Sequence, residues 1–148
     1  MSQRILNAVK TTRPTTAGLN RTWYIIDASK TPIGRMATQA ARILMGKNLP
    51  NYSKDVNMGG IVVVINAKNS VLTGKKAEKK NYFHHSGYLG GMKVTTYAQY
   101  QDKNPKFPIY NAIKGMLPKN RHQDVWMNNR VHIFEEGHNF TNKMIQVN

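Results

Sequence analysis

The sequence contains no cysteine and few acidic residues. The absence of cysteine from all 148 residues excludes disulfide bonds, cysteine-ligated zinc and thiol catalysis. No apolar run reaches the roughly 18 residues that a membrane-spanning helix needs. Aspartate and glutamate together number 7, and only Glu135 and Glu136 are neighbours. The chain therefore shows no convincing pair of carboxylates for general acid–base catalysis.

The most informative feature that is present is an excess of positive charge. There are 22 lysines and arginines against the 7 acids, giving a formal net charge of +15. Such an excess repels itself unless a polyanion neutralises it. Nucleic acid is the first candidate, because neutralising phosphates releases counterions. An anionic membrane surface is the second, but the basic residues run along the whole chain instead of one amphipathic helix.

Residues 1–22 form a separate basic zone, rich in serine and threonine, with no acid before Asp27. This composition is typical of a mitochondrial transit peptide, and also of a disordered basic arm. We favour a basic extension that folds against RNA. Because the segment has few apolar residues to offset the entropy of ordering, we expect it to be disordered in the free protein.

The folded part is predicted to begin with a βαβ unit. Aromatic and β-branched residues predict a buried strand at 23–27. Thr31 is the expected N-cap of a helix with Pro32 at its first position, and Gly46 is the expected end of that helix. The uninterrupted β-branched run at 61–65 predicts a central strand of a parallel sheet. The helical spacing predicts a buried face made of Ile33, Met36, Ala37, Ala40 and Leu44.

Two more strands are predicted, at 81–84 and 131–134, with helices near 95–103 and 108–116 between them. In the second of these helices, Ile109, Ala112 and Ile113 should face the core. Gly115 is the expected helix end, since glycine adopts the left-handed conformation there, and Pro118 prevents continuation.

The segment from Lys75 to Lys80 carries the densest basic cluster and leads directly into Tyr82-Phe83-His84-His85. Lysines beside aromatic and imidazole rings suit RNA, where phosphates need charge and exposed bases need stacking surfaces. A solvated surface is the other interpretation. His84 and His85 also suggest a metal or nuclease site, but adjacent strand residues point to opposite faces. The glycine-rich loop at 87–91 matches neither a Walker loop nor a dinucleotide fingerprint, and is a tight turn or a loop pressed against RNA.

Several segments together resemble one family, large ribosomal subunit protein thirteen of the bacterial and organellar type. The segments agree with that family in order and spacing and span about residues 22–137: 23–28, 34–38 with 45–47, 65–67 with 72–76, 82–88 with 90–91, and 115–119. The resemblance implies a three-layer α/β single domain around a mainly parallel four-stranded sheet. It also implies a structural, non-catalytic role in the folding and assembly of large-subunit RNA, with neighbouring ribosomal proteins as partners and no cofactor or metal.

The resulting organisation is a basic extension at 1–22, an α/β domain at 23–137 and a tail at 138–148. The candidate RNA-binding residues are basic, histidine and glycine positions: Arg35, Arg42, Lys47, Lys54, Lys75, Lys76, Lys79, Lys80, His84, His85, Gly90, Gly91, Lys93, Lys114, Lys119 and Arg121.

The sequence departs from the bacterial pattern at Asn120–Asp124, where bacterial members usually carry a glycine-bearing loop and further basic residues. The segment 119–122 and the later 130–134 look more like mitochondrial members. With the basic leader, they favour a mitochondrial ribosome over a bacterial cytoplasmic one. The competing functions are a basic nuclease using His84 or His85, and a nucleotide-binding enzyme suggested by the βαβ unit. The latter lacks a glycine fingerprint after the first strand, and a βαβ fold alone does not imply a nucleotide site.

Overall fold

The computed structural model describes residues 14–15, 19, 21–137, 140 and 144–147, so most of the predicted basic extension lies outside the described residues. The helices and strands follow one another along the chain as β1 Trp23–Asp27, α1 Ile33–Met45, β2 Ile61–Ile65, a 3-10 turn Ala67–Asn69, α2 Lys76–Lys79, β3 Asn81–His85, β4 Met92–Thr96, α3 Tyr97–Lys103, α4 Lys106–Met116, α5 Arg121–Asn129, β5 Val131–Ile133 and β6 Met144–Val147.

The described residues form an α/β domain around a four-stranded sheet of order β5-β2-β1-β6, in which every neighbouring pair of strands is parallel. The predicted fold class is confirmed. Val62, Val63 and Val64 of β2 are all buried, as expected for a central strand covered on both faces. Val62 and Val64 join the core beneath α1, while on the other face the ring of Trp23 stacks on that of His132, with centroids 5.9 Å apart.

Helix α1 supplies the largest buried face, and all five positions predicted for it are buried. Gly46 ends the helix in the left-handed conformation, with φ of 80°, as predicted. The predicted cap is wrong, because the helix begins at Ile33 and Pro32 occupies the N-cap position without a side-chain hydrogen bond. Residue 31 contributes a buried hydroxyl that has no hydrogen-bond partner among the described residues.

Gly59 and Gly60 allow the chain to pass directly against the end of α1 before β2 begins. A Cβ atom on Gly59 would lie 1.7 Å from the carbonyl oxygen of Leu44. The Gly60 amide donates to the carbonyl of Ile43 over 3.2 Å, and the carbonyl of Gly59 accepts a 2.9 Å hydrogen bond from Nη1 of the buried Arg130. Only residues without side chains fit between the helix end and the strand.

Two strand assignments differ from the sequence prediction. Residues 81–85 form a strand that is not part of the central sheet: β3 pairs with β4 in a separate antiparallel hairpin. The fourth strand of the central sheet is instead β6, within the segment expected to be a tail. The hairpin is anchored by Tyr82, whose ring meets those of Tyr100 and Phe107 edge-on at 5.3 and 5.5 Å. Tyr82 is therefore covered by residues of α3 and α4, and not by a place in the central sheet.

The helices after the hairpin include two departures from expectation. The predicted helices near 95–103 and 108–116 are present as α3 and α4, and Ile109 and Ile113 are fully buried. Gly115 is not the end of α4, because the helix continues through Met116 and Gly115 is not among the glycines with positive φ. Helix α5 was not predicted.

Candidate nucleic-acid interface

Three of the seven acids lie at one edge of the sheet. Asp27 ends β1, and Glu135 and Glu136 follow β5; because these strands are parallel, their carboxyl ends meet at the same edge. Nζ of Lys68 lies 2.8 Å from Glu136 and 4.0 Å from Glu135, and Nζ of Lys106 lies 3.5 Å from Glu135. Glu135 and Glu136 therefore pair with two lysines that are not candidate RNA contacts.

Asp27 is the acceptor of a local polar network. Its Oδ1 accepts hydrogen bonds from the Asn66 amide at 3.0 Å, the Ser29 backbone at 3.0 Å and the Ser29 hydroxyl at 2.7 Å. Partial burial works against the charged form, but these hydrogen bonds and the charge of Lys30 outweigh it and lower the pKa of Asp27. The carboxylate stays ionised and joins β1 to the segment after β2.

The lysines and arginines named as RNA contacts are available at the surface. Within the part of the chain that the structure describes, none of them forms an ion pair with a carboxylate. All are exposed except Lys80, which is half-buried. An exposed cation without a carboxylate partner is available for a charge-assisted hydrogen bond to an incoming phosphate.

The basic cluster lies on the short helix α2 and its flanks. Lys75, Lys76 and Lys79 are exposed, and the helix buries no side chain. Lys80 differs from them: its ammonium lies 5.4 Å from the centre of the Tyr82 ring, and its carbonyl accepts a 2.9 Å hydrogen bond from the Tyr97 amide. Three of the four lysines are thus surface charges, while Lys80 also helps to attach the hairpin.

The β3–β4 hairpin carries the histidine and glycine candidates. His84 is paired with Lys93, and His85 with Met92, so the two imidazoles lie on opposite faces as predicted. Nδ1 of His85 accepts a 2.9 Å hydrogen bond from the amide of Gly87, which places this ring in the turn. Among the described residues, no group of three or more histidine, aspartate or glutamate side chains could hold a metal ion.

The hairpin turn requires glycine at particular positions. Gly90 has a φ of 71°, in the left-handed region that favours glycine. At Gly91, a Cβ atom would lie 2.1 Å from the Ser86 hydroxyl. The hairpin exposes large side chains together with the charges, since Phe83 of β3 is 66% exposed and Tyr88 of the turn is 80% exposed. Exposed rings beside lysines offer stacking surfaces for unpaired bases.

Lys114, Lys119 and Arg121 line one open groove beside the end of α4, and the exposed acid Asp124 lines it as well. The groove is formed by two helices and the turn between them, with Leu117 buried in the core. In contrast, Met116 is 41% exposed at the end of α4, and Lys119 and Arg121 are exposed beyond it. Helix α4 ends at Met116, one residue beyond the predicted end at Gly115.

Two other clefts collect further candidates. Arg35 and Lys76 both line a cleft between the start of α1 and the segment after the 3-10 turn. Lys47 and Lys54 lie on the rim of a second cleft beside α5. Arg42 is exposed on α1 but lines none of these clefts.

Sequence reasoning missed two positioning residues, Gln123 and Trp126. The Gln123 amide donates to the carbonyls of Lys114 at 2.7 Å and Leu117 at 3.3 Å. Nε1 of Trp126 donates to Oδ1 of Asn57 over 2.6 Å. The signal was available, because Gln123, Trp126 and the buried Met127 recur at helical spacing.

None of the helices in the described ranges has the length and apolar character needed to cross a bilayer.

Comparison with known proteins gives a consistent result. Residues 21–139 match the family model described as ribosomal protein L13. The chain is similar to proteins named large ribosomal subunit protein uL13 in several bacteria. It is 50% identical over 112 residues to that of Thermotoga petrophila, covering 76% of this chain and 75% of the relative. The identity is 52% over 103 residues for Caldanaerobacter subterraneus, covering 70% and 72%, and 44% over 113 residues for Kocuria rhizophila, covering 76% and 77%.

Proposed function

The chain belongs to the ribosomal protein L13 family, and we propose that it is a structural, non-catalytic constituent of the large ribosomal subunit that binds large-subunit ribosomal RNA and supports its folding and assembly. Its partners are that RNA and neighbouring large-subunit proteins, and the interaction needs no cofactor or small-molecule substrate.

The observation that carries this proposal is that, among the described residues, the candidate lysines and arginines form no ion pair with a carboxylate. At the carboxyl edge of the sheet, Glu135 and Glu136 are paired with Lys68 and Lys106. The candidate lysines and arginines, in contrast, lie without carboxylate partners on α1, on α2, on the hairpin and around the α4–α5 turn. Several separate basic patches suit a folded polyanion whose backbone passes over the domain at more than one place.

The competing proposal of a nuclease that uses His84 or His85 has less support. The two imidazoles lie on opposite faces of β3, and His85 accepts a hydrogen bond from the backbone of its own turn. Catalysis at a phosphate would need a base and an electrophile directed at one reacting atom. The hairpin presents instead a basic and aromatic surface.

The compartment forms part of the same proposal and rests on the sequence alone. The basic leader at 1–22 and the segment 119–122 favour a mitochondrial ribosome, with the bacterial cytoplasm as the alternative. The relatives named above are bacterial, so they support a ribosome without selecting the compartment.

The proposal is tested by replacing Lys119 and Arg121 together with glutamine in cells where the variant is the sole copy. Both side chains are exposed and line the groove at the α4–α5 turn, so the domain should remain folded. We expect large subunits to accumulate as incomplete particles, because two phosphate contacts are lost. Lys103→Gln, at an exposed lysine outside the candidate set, is the matched control. Normal assembly with the double variant would remove this groove from the interface.

A further inference from the structure

A cleft of about 420 Å³ lies between the loop at 46–57 and the segment from the end of α4 into α5. It falls within the range of about 300–1,000 Å³ that is usual for small-ligand pockets. Met45, Leu117 and Trp126 provide apolar lining at its base, and Tyr52 contributes an aromatic wall.

The cleft is built from residues that are fixed by other contacts. Trp126 is 5% exposed, and its only polar atom is already bonded to Asn57, which joins α5 to the loop at 46–57. Tyr52 continues a turn in which its amide donates to the carbonyl of Leu49 over 3.2 Å. The Asn48 amide donates to the hydroxyl of Tyr24 over 3.0 Å, which ties the same loop to β1. A lining held in place in this way loses little entropy when a ligand enters.

The rim of the cleft is positively charged. Lys47 and Lys54 are exposed, and neither forms an ion pair within the described residues. Asp55 is the one acid in the loop 46–57, and it accepts a hydrogen bond from the Ser53 hydroxyl. A ligand that fits must therefore combine a flat apolar body for the interior with negative charge at the entrance.

We infer that this cleft receives the base of an unpaired nucleotide of the bound RNA, with the adjoining phosphates held by Lys47 and Lys54. Unpaired bases of loops and bulges are recognised by stacking on aromatic side chains while cations hold the backbone. A base that is already unpaired pays the smallest unstacking cost on leaving its strand. The cleft thus adds an enclosed site for a single base to the basic patches and to the exposed rings of the hairpin. This inference rests on the proposed function, because it requires that the chain bind RNA.

The test uses the full chain and large-subunit ribosomal RNA of the source organism freed of protein. Base-specific and backbone-specific chemical probing are run with the wild type, Tyr52→Ala and Tyr52→Phe. The phenylalanine variant keeps the ring and serves as the matched control, and thermal melting checks that each variant is folded. A second variant, Lys47→Gln with Lys54→Gln, changes the rim without altering the interior.

We expect the wild type and Tyr52→Phe to protect the base of one unpaired nucleotide. Tyr52→Ala should lose that protection and bind the RNA about tenfold or more weakly, while keeping the backbone footprints elsewhere. The lysine variant should lose protection of the adjoining backbone. An unchanged set of base protections in folded Tyr52→Ala overturns the inference, as does a cleft whose variants lose only contact with a neighbouring ribosomal protein. If the wild type leaves no footprint at all, the proposed function fails first.

Discussion

The side-chain amide of Gln123 donates a 2.7 Å hydrogen bond to the backbone carbonyl of Lys114, joining α5 to the last turn of α4. The final carbonyls of a helix have no partners within the helix and need others from outside it. The same amide also reaches the carbonyl of Leu117 at 3.3 Å. One buried glutamine thereby fixes the turn from which Lys119 and Arg121 project.

Replacing Gln123 with leucine should lower the free energy of unfolding by about 1–3 kcal/mol, because it leaves a buried carbonyl without a hydrogen bond. Chemical denaturation of the two proteins measures this difference. Asn128→Ala, at an exposed position of the same helix, is the control and should change stability by less than about 0.5 kcal/mol. A Gln123→Leu protein as stable as the wild type would mean that the amide does not hold the turn.

Gly59→Ala should destabilise the protein by about 2 kcal/mol or more, since the new methyl group would meet the backbone of Leu44 and neither chain segment can move freely. Gly115→Ala is the matched control. Gly115 lies inside α4 with open space around it, so alanine should raise stability by about 0.5–1 kcal/mol. Denaturation midpoints that shift in the same direction for both variants would contradict this account.

Tyr82 packs its ring against Tyr100 and Phe107, but its buried hydroxyl has no hydrogen-bond partner among the described residues. Tyr82→Phe should therefore be as stable as the wild type or more stable at neutral pH, whereas Tyr82→Ala should lose about 3–5 kcal/mol.

The same residue gives a pH dependence. Burial, followed by the neighbouring Tyr97 and Tyr100, raises the pKa of Tyr82 to about 12 from an ordinary 10.0. Between these values the unfolded chain has released the proton and the folded chain retains it, so stability falls as the pH rises. The wild type should lose stability more steeply than Tyr82→Phe over this interval in denaturation curves. Parallel curves would show that the phenol ionises as readily in the folded state.

The structure separates Lys80 from the other lysines of its cluster. Replacing Lys75, Lys76 and Lys79 with glutamine should weaken binding to any RNA sequence, because lysine contacts phosphate as a point charge. RNA affinity measured at several salt concentrations should lose about 2–3 units of log–log slope, at roughly 0.7–0.9 per phosphate. The thermal midpoint should not change, since all three side chains are exposed. An unchanged slope with a lowered midpoint would assign the cluster a structural role.

Local patterns predicted the first half of the fold well and the second half less well. The buried face of α1, the glycine that ends this helix and the buried valine run of β2 could each be predicted from residues close together in the sequence. The strand at 81–85 was recognised, but nothing in its own residues distinguishes a hairpin anchored on Phe107 from a strand of the central sheet. The fourth strand of the sheet depends on a pairing between residues 23–26 and 144–147, which are remote in sequence.

The exposure of the candidate cations could be predicted, because long charged side chains remain at the surface in almost any fold. Their grouping could not be predicted, since the cleft containing Arg35 and Lys76, and the groove containing Lys114, Lys119 and Arg121, arise from tertiary packing. For the same reason, the roles of Gln123 and Trp126 became evident only from their distant partners.

The central claim is that this chain works as part of the large ribosomal subunit by binding its RNA. Sedimentation of the tagged protein from its native cells, with sequencing of the RNA that travels with it, tests this claim most directly. The account predicts that the protein sediments with the large subunit and carries large-subunit ribosomal RNA. Sedimentation as a free protein, or with other RNA alone, would contradict it.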